Sequence, residues 1–189
     1  GDLVAALRDL RTATELDTTA TRPLEQQGDV NYAMGRYARR AESYDAYAKL
    51  DDRSPRVLYK LALARYRDGN APTAVEPLRK AVAINDRFAE AHYLLGLSLR
   101  DSGQLDAALA ALLRAVQIAP ALIDAREALA DLYRSVGRID EEIGQLEALA
   151  ALDRERPERQ ATLGLAYSRA KRTDMAILTL GGVVERHPE

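Results

Sequence analysis

Ala89–Leu122 reads AEAHYLLGLSLRDSGQLDAALAALLRAVQIAPAL, and this stretch of 34 residues decides the fold. Leu94, Leu95, Leu97 and Leu99 precede Gly103, while Leu105, Ala108, Leu109, Leu112, Ala115, Val116 and Ile118 follow it at helical spacing. Two amphipathic helices with a break between them are expected. Gly103, within Asp-Ser-Gly-Gln, takes the place just past a helix C-terminus, where the left-handed backbone carries no steric penalty for glycine. Pro120 cannot continue the second helix comfortably, so that helix is expected to stop near it.

Outward from this stretch the pattern recurs without slippage. Gly1, Gly35, Gly69, Gly103 and Gly137 stand at intervals of 34, with Lys171 in the next place. A small-residue column runs through Gly28, Ala62, Gly96, Ala130 and Gly164, and Leu61, Leu95, Leu129 and Leu163 precede it. Further columns read Tyr44, Leu78, Leu112, Leu146 and Leu180, and Leu50, Ile84, Ile118 and Leu152. The small positions, with Ala74, Ala108 and Ala176 on the second helix, let two backbones approach while the leucines fill the space between. Neither helix buries its apolar stripe alone, so successive pairs must stack into one continuous core.

Leu95-Gly96, Gly103, Ala108, Leu112, Ala115-Val116, Ile118 and Pro120 resemble the tetratricopeptide repeat, and the resemblance covers the whole chain. It implies an all-α, right-handed α-solenoid of helix-turn-helix repeats. The repeats are placed at 21–54, 55–88, 89–122, 123–156 and 157–189, and residues 1–20 match the second half of a preceding repeat through Gly1, Ala6, Leu10, Ala13 and Leu16. All are expected to form one continuous domain. Ser54 before Pro55, and Pro157, read as helix starts.

Some positions depart from the pattern. Arg40 and Glu142 occupy the column of Ala74, Ala108 and Ala176, so those helix pairs should splay or let the long side chain reach outward. Asn31 and Arg65 stand where Tyr133 and Tyr167 stand. Lys171 in place of glycine should cost about 0.5–1 kcal/mol if the left-handed conformation is kept. Pro77 falls inside a second helix and reads as a solvent-side kink, since the columns resume at Leu78 and Ala81.

The 189 residues carry 27 basic and 29 acidic side chains, a net charge of -2, which argues against a nucleic-acid surface. Without cysteine there is no disulfide framework and no zinc cluster. Asp2, Arg8 and Asp9 stand where a signal peptide would be basic and then apolar, and charges cut every apolar run well short of about 18 residues, so neither a leader nor membrane insertion is expected. His92 and His187, nearly three repeats apart, are the only histidines, and the periodic glycines are singletons rather than a phosphate loop. The pairs Asp51-Asp52 and Glu141-Glu142 read as solvated charge at a turn and a helix start. No catalysis, cofactor or metal is expected. The preference for arginine over lysine hints at a bacterial source, and the composition suits cytoplasm and periplasm equally.

The resemblance also implies that the first helix of each pair lines a concave face through the second, fifth, ninth, twelfth and thirteenth positions of the repeat. The candidate partner-binding residues are Tyr32, Arg56, Tyr59, Leu63, Tyr66, Arg67, Tyr93, Leu97, Arg100 and Arg134. Asp124, Glu127 and Asp131 make the fourth repeat acidic. Tyrosine and arginine suit recognition, so the middle of this groove is expected to take an extended or helical peptide with acidic and apolar side chains. The opposing expectation is that the tyrosines pack against neighbouring repeats and leave only their hydroxyls wet. Glu25 and Asp29, Tyr59 and Leu63, or Tyr93 and Leu97 do not resemble the carboxylate clamp of chaperone-tail-binding members.

The sequence therefore reads as a non-catalytic protein-interaction scaffold. The alternatives are a regulatory or substrate-docking segment of a larger enzyme such as a transferase, and a self-associating module of a bacterial envelope or secretion complex. Gly1 opens mid-repeat, and Ile177, Leu180, Val183 and Val184 precede Pro188-Glu189 with nothing to cover them. An array cut from a longer one, prone to end-to-end association, is expected.

Overall fold

A computed structural model describes residues 2–153 and 156–186. Gly1, His187, Pro188 and Glu189, on which some expectations fell, lie outside the described residues. Among those described there are eleven α-helices and no strand. They are α1 (Leu3–Leu16), α2 (Thr21–Ala33), α3 (Tyr37–Leu50), α4 (Pro55–Arg67), α5 (Ala71–Ile84), α6 (Ala89–Asp101), α7 (Leu105–Ile118), α8 (Ile123–Ser135), α9 (Ile139–Leu152), α10 (Pro157–Arg169) and α11 (Thr173–Arg186). The first helices start at Thr21, Pro55, Ala89, Ile123 and Pro157, at the step of 34 read from the sequence. None of the described helices is long and apolar enough to cross a membrane.

Local chemistry sets these boundaries. Gly35, Gly69, Gly103 and Gly137 adopt φ of 68, 82, 76 and 75°. At Gly103 the turn is closed by Gly103 N–H donating to Arg100 O and Gln104 N–H donating to Leu99 O, each at 2.9 Å, which satisfies carbonyls that the helix leaves unpaired. Lys171 keeps the same conformation at φ 59°, held by Arg172 N–H donating to Tyr167 O at 2.9 Å. Ser54 caps α4, its Oγ accepting from Val57 N–H at 3.4 Å. Pro55 and Pro157 open α4 and α10, where a missing donor leaves nothing unpaired.

The chain divides into two compact units, Gly1–Ala108 and Leu109–Glu189, with the division inside α7. In the first unit consecutive helices from α1 to α6 pack on one another. Tyr44, Val57 and Leu61 form a buried cluster, and Gly28 lies so close that a Cβ there would run into the Tyr44 ring. In the second unit α8 packs on α9, α9 on α10 and α10 on α11. Its core gathers Ile143, Leu146, Leu149, Leu163, Ala166 and Tyr167. A Cβ on Gly164 would come within 2.6 Å of Leu180 Cγ, so glycine is required for this helix crossing.

Three expectations about side chains are corrected. Pro77 does not face solvent: α5 runs unbroken from Ala71 to Ile84, and Pro77 is buried, sharing a cavity wall with Leu58 and Leu61. Its ring, having no N–H to satisfy, serves as apolar surface. Arg40 and Glu142 do not reach outward either; they are 4% and 3% exposed. Each is buried because a partner waits on the inner side. Arg40 stacks on Tyr32, with its guanidinium carbon 4.1 Å from the ring centroid, and Glu142 Oε1 accepts from Arg169 Nη2 at 2.6 Å. Glu142 is therefore not the solvated helix-start charge expected of Glu141-Glu142, although Glu141 is, pairing with exposed Arg138. Of the two residues replacing the tyrosine column, Arg65 donates to Asp45 and Thr73 O, and Asn31 is buried with Oδ1 unpaired.

Candidate functional site

The helices α2, α4 and α6 carry the candidate residues of the first unit, and their charges meet in a definite pattern. Glu25 and Asp29 lie one turn apart on α2, and Arg56 and Lys60 lie one turn apart on α4. Arg56 Nη2 reaches Glu25 Oε1 at 2.5 Å. Lys60 Nζ donates to Glu25 Oε1 at 3.0 Å and to both Asp29 oxygens at 2.7 and 2.9 Å. The Tyr44 hydroxyl donates to Asp29 Oδ1 at 2.5 Å. Burial works against the Asp29 carboxylate, but the bonds from Lys60 and Tyr44 outweigh it and hold Asp29 below the usual range. Glu25 and Asp29 are therefore already occupied, whereas Glu90 at the start of α6 is exposed.

The aromatic residues are neither fully packed nor fully free. Tyr32 is 45% exposed and lies 6.4 Å from the Tyr37 ring. Behind it, buried Arg40 has two nitrogens, Nε and Nη1, with no hydrogen-bond partner. Tyr59 is half-buried, its ring 5.1 Å from Phe88. Burial first, then the nearby Glu90 charge, raise its hydroxyl above the usual value, while Arg67 and Arg40 oppose the shift. Tyr66 is half-buried and donates to Asp101 Oδ2 at 2.8 Å, and Arg100 Nε binds the other oxygen of the same carboxylate at 2.9 Å. Burial, then the bond to Asp101, push Tyr66 up to about 12. Leu63, Tyr93 and Leu97 are likewise half-buried.

The structure thus brings Tyr32 and Tyr44 around the Arg40 cation, whose guanidinium carbon lies 4.1 and 5.5 Å from their ring centroids, and Tyr66 and Arg100 around the Asp101 carboxylate, with Tyr93 near both. Arg56 is committed to Glu25, whereas Arg67 is exposed with no carboxylate bound to it among the described residues. Arg134 stands in the second unit and is bound to Asp131 at 2.6 Å. Lys60 and Arg40 were not among the candidates read from the sequence. Lys60 was legible: it sits four residues after Arg56 and opposes a Glu–Asp pair of the same spacing on the preceding first helix. Nothing in the sequence shows that Arg40, on a second helix, turns inward. His92 is half-buried, with Nε2 3.1 Å from Asp86 O at the start of α6.

Comparison with known proteins agrees with this geometry. Family models described as tetratricopeptide repeat match residues 25–88 and 89–122. No curated protein matches significantly. Among solved structures, MamA is similar at 25% identity and a TM-score of 0.77, over 82% of this chain and 91% of that one. A MamA fragment from Desulfovibrio magneticus RS-1 matches at 21% identity and a TM-score of 0.74, over 87% and 93% of the two chains. YrrB, described as a TPR protein with an unusual peptide-binding site, matches at 20% identity and a TM-score of 0.77, over 95% and 93%. With the uninterrupted 34-residue register and the capped helix pairs already described, these matches show that the chain belongs to the tetratricopeptide repeat family of protein-interaction scaffolds.

Proposed function

We propose that this chain is a non-catalytic scaffold that holds a peptide or helical segment of a partner protein against the first-helix face of α2, α4 and α6. One observation carries the reading. Glu25, Asp29 and Asp101 are bound by the chain's own groups, while Tyr32, Tyr59, Tyr66 and Tyr93 keep part of their rings open beside exposed Arg67. Such a surface complements a segment of apolar and acidic side chains, since aromatic rings supply contact area and arginine supplies directed donors. That YrrB is a peptide-binding TPR protein of the same fold supports the reading.

The test is affinity capture with the wild-type chain and with R67E, compared by mass spectrometry. R67E lies on the exposed end of α4, so its helicity should equal wild type, and the captured partner should be lost or reduced about tenfold. Equal capture by both chains would overturn the proposed face.

A second reading, self-association, is favoured by one observation on α11. Ile177 and Val184 are exposed, whereas Ile143 and Ala150, their counterparts one repeat earlier on α9, are buried against α10. Sedimentation over a range of concentrations tests it: I177D should abolish any growth in mass, and a wild-type chain that stays monomeric would remove the reading.

A further inference from the structure

One column of large side chains has a single short member. At the step of 34 it reads Asn31, Arg65, Leu99, Tyr133 and Tyr167, on the first helices α2, α4, α6, α8 and α10. Leu99, Tyr133 and Tyr167 are buried. Arg65 reaches back to Asp45 of α3, and the Tyr167 hydroxyl reaches Glu147 in the corresponding place on α9. In the first repeat the corresponding pair is Asn31 and Arg11 of α1, and no bond joins them among the described residues.

A cavity of about 210 Å³ borders Asn31, lined by α1 and α3 with α2 as its floor. Leu24 and Ala46 supply apolar wall. Two of the polar groups around it are already engaged: Gln27 Nε2 donates to Leu10 O at 3.1 Å and to Thr14 Oγ1 at 2.8 Å, and Ser43 Oγ donates to Arg39 O at 3.0 Å. Asn31 is not. It is 3% exposed, and its Oδ1 has no hydrogen-bond partner. A buried acceptor left in this way calls for a donor. Arg11, Arg39 and Glu42 also line the cavity, exposed and outside any ion pair among the described residues.

We propose that this cavity receives a tyrosine side chain of a partner protein, entering between α1 and α3. Its hydroxyl donates to Asn31 Oδ1, its ring lies along Leu24 and Ala46, and the Arg11 and Arg39 guanidiniums lie against the ring at the rim. The size is sufficient, since a cavity of about 150 Å³ takes a benzene ring. The chemistry selects among side chains. A carboxylate would answer the two arginines but would leave Oδ1 without a donor, and a lysine would meet both arginine charges. A phenol supplies the O–H without a charge and offers its ring to the cations. The same column holds tyrosine rings at Tyr133 and Tyr167, and the Arg138 guanidinium carbon lies 4.9 Å from the Tyr133 centroid. The site belongs to the second helices α1 and α3, so the inference does not rest on docking at the first-helix face.

The test follows backbone amide chemical shifts of the chain while N-acetyl-tyrosinamide is added, with N-acetyl-phenylalaninamide, which keeps the ring and lacks the hydroxyl, as the control. The tyrosine probe should give saturable shifts at Gln27, Asn31 and Ser43 with half-saturation in the millimolar range, and the phenylalanine probe should bind about three- to tenfold more weakly. N31A keeps the space and removes the acceptor, so the two probes should bind it equally. N31Y places the chain's own ring in the column, as Tyr133 and Tyr167 do, and should abolish the shifts. R67E, on the first-helix face, should leave tyrosine binding unchanged. Absence of shifts at those amides up to about 10 mM probe, equal binding of the two probes to the wild-type chain, or a preference for tyrosine that survives in N31A would overturn the proposal.

Discussion

At Gly28 the absence of a side chain is itself the structural contribution, because the fully buried Tyr44 ring fills the space that a Cβ would need. G28A should therefore destabilise the chain by about 1–3 kcal/mol in urea unfolding, as overpacking does. Gly144, inside α9 with no atom within 4 Å of its Cβ position, is the control: G144A should stabilise by about 0.5–1 kcal/mol. The glycine-or-alanine column was legible from its step of 34. That Gly28 faces tyrosine where Gly164 faces leucine follows only from two columns read together, Tyr44 and Leu180 being one column. Tyr66 gives a second residue-scale prediction. It holds its proton up to about pH 12 when folded, and a tyrosine in the unfolded chain ionises near 10. Between those values the folded state binds more protons, so stability is full below about pH 10 and falls as pH rises toward 12. Melting curves from pH 9 to 11.5 should show a shallower loss for Y66F than for wild type; identical slopes would contradict the assignment.

Helix pairs show what an alternation of small and large residues determines and what it leaves open. The ends of α2, α4, α6 and α8 follow from Gly35, Gly69, Gly103 and Gly137, and the starts of α4 and α10 from Pro55 and Pro157, signals that act within a few residues and are visible in sequence. The fate of Arg40 and Glu142 was not visible. Whether a long charged side chain in a small column is pushed outward or drawn in depends on whether a partner meets it across the helix pair, and that partner is distant in sequence. Glu142 finds Arg169 on α10, 27 residues away. R169A should leave a buried carboxylate uncompensated and cost roughly 2–3 kcal/mol, somewhat below the loss for a wholly buried pair because Arg169 is partly in water. E142A restores the alanine found in the other repeats and should cost much less. Equal losses from R169A and E142A in chemical unfolding would mean that the pair itself, rather than the stranded charge, sets the energetics. Pro77 teaches the same lesson, since its inward orientation depends on which face of α5 meets Leu58 and Leu61.

For the whole molecule, the repeat register made the family legible, and the side chains on the first helices decide what the surface recognises. The sequence places Tyr32, Tyr59, Tyr66 and Tyr93 on one face through the family pattern. It does not show that Glu25, Asp29 and Asp101 are satisfied internally, because that depends on contacts 31 to 35 residues apart. Once those carboxylates are bound, the open chemistry of the first-unit face is its half-buried aromatic rings, with Arg67 and Glu90 as exposed charges beside them. The central claim, that a partner docks on the first-helix face, is tested most directly by site-specific photo-crosslinking in lysate. A benzophenone residue is placed at Arg67, on the end of α4, or at Arg79, exposed on α5. The account predicts a discrete partner crosslink from position 67, absent from position 79 and carried by a partner segment of apolar and acidic residues. Crosslinking from position 79 alone, or equally from both positions, would contradict it.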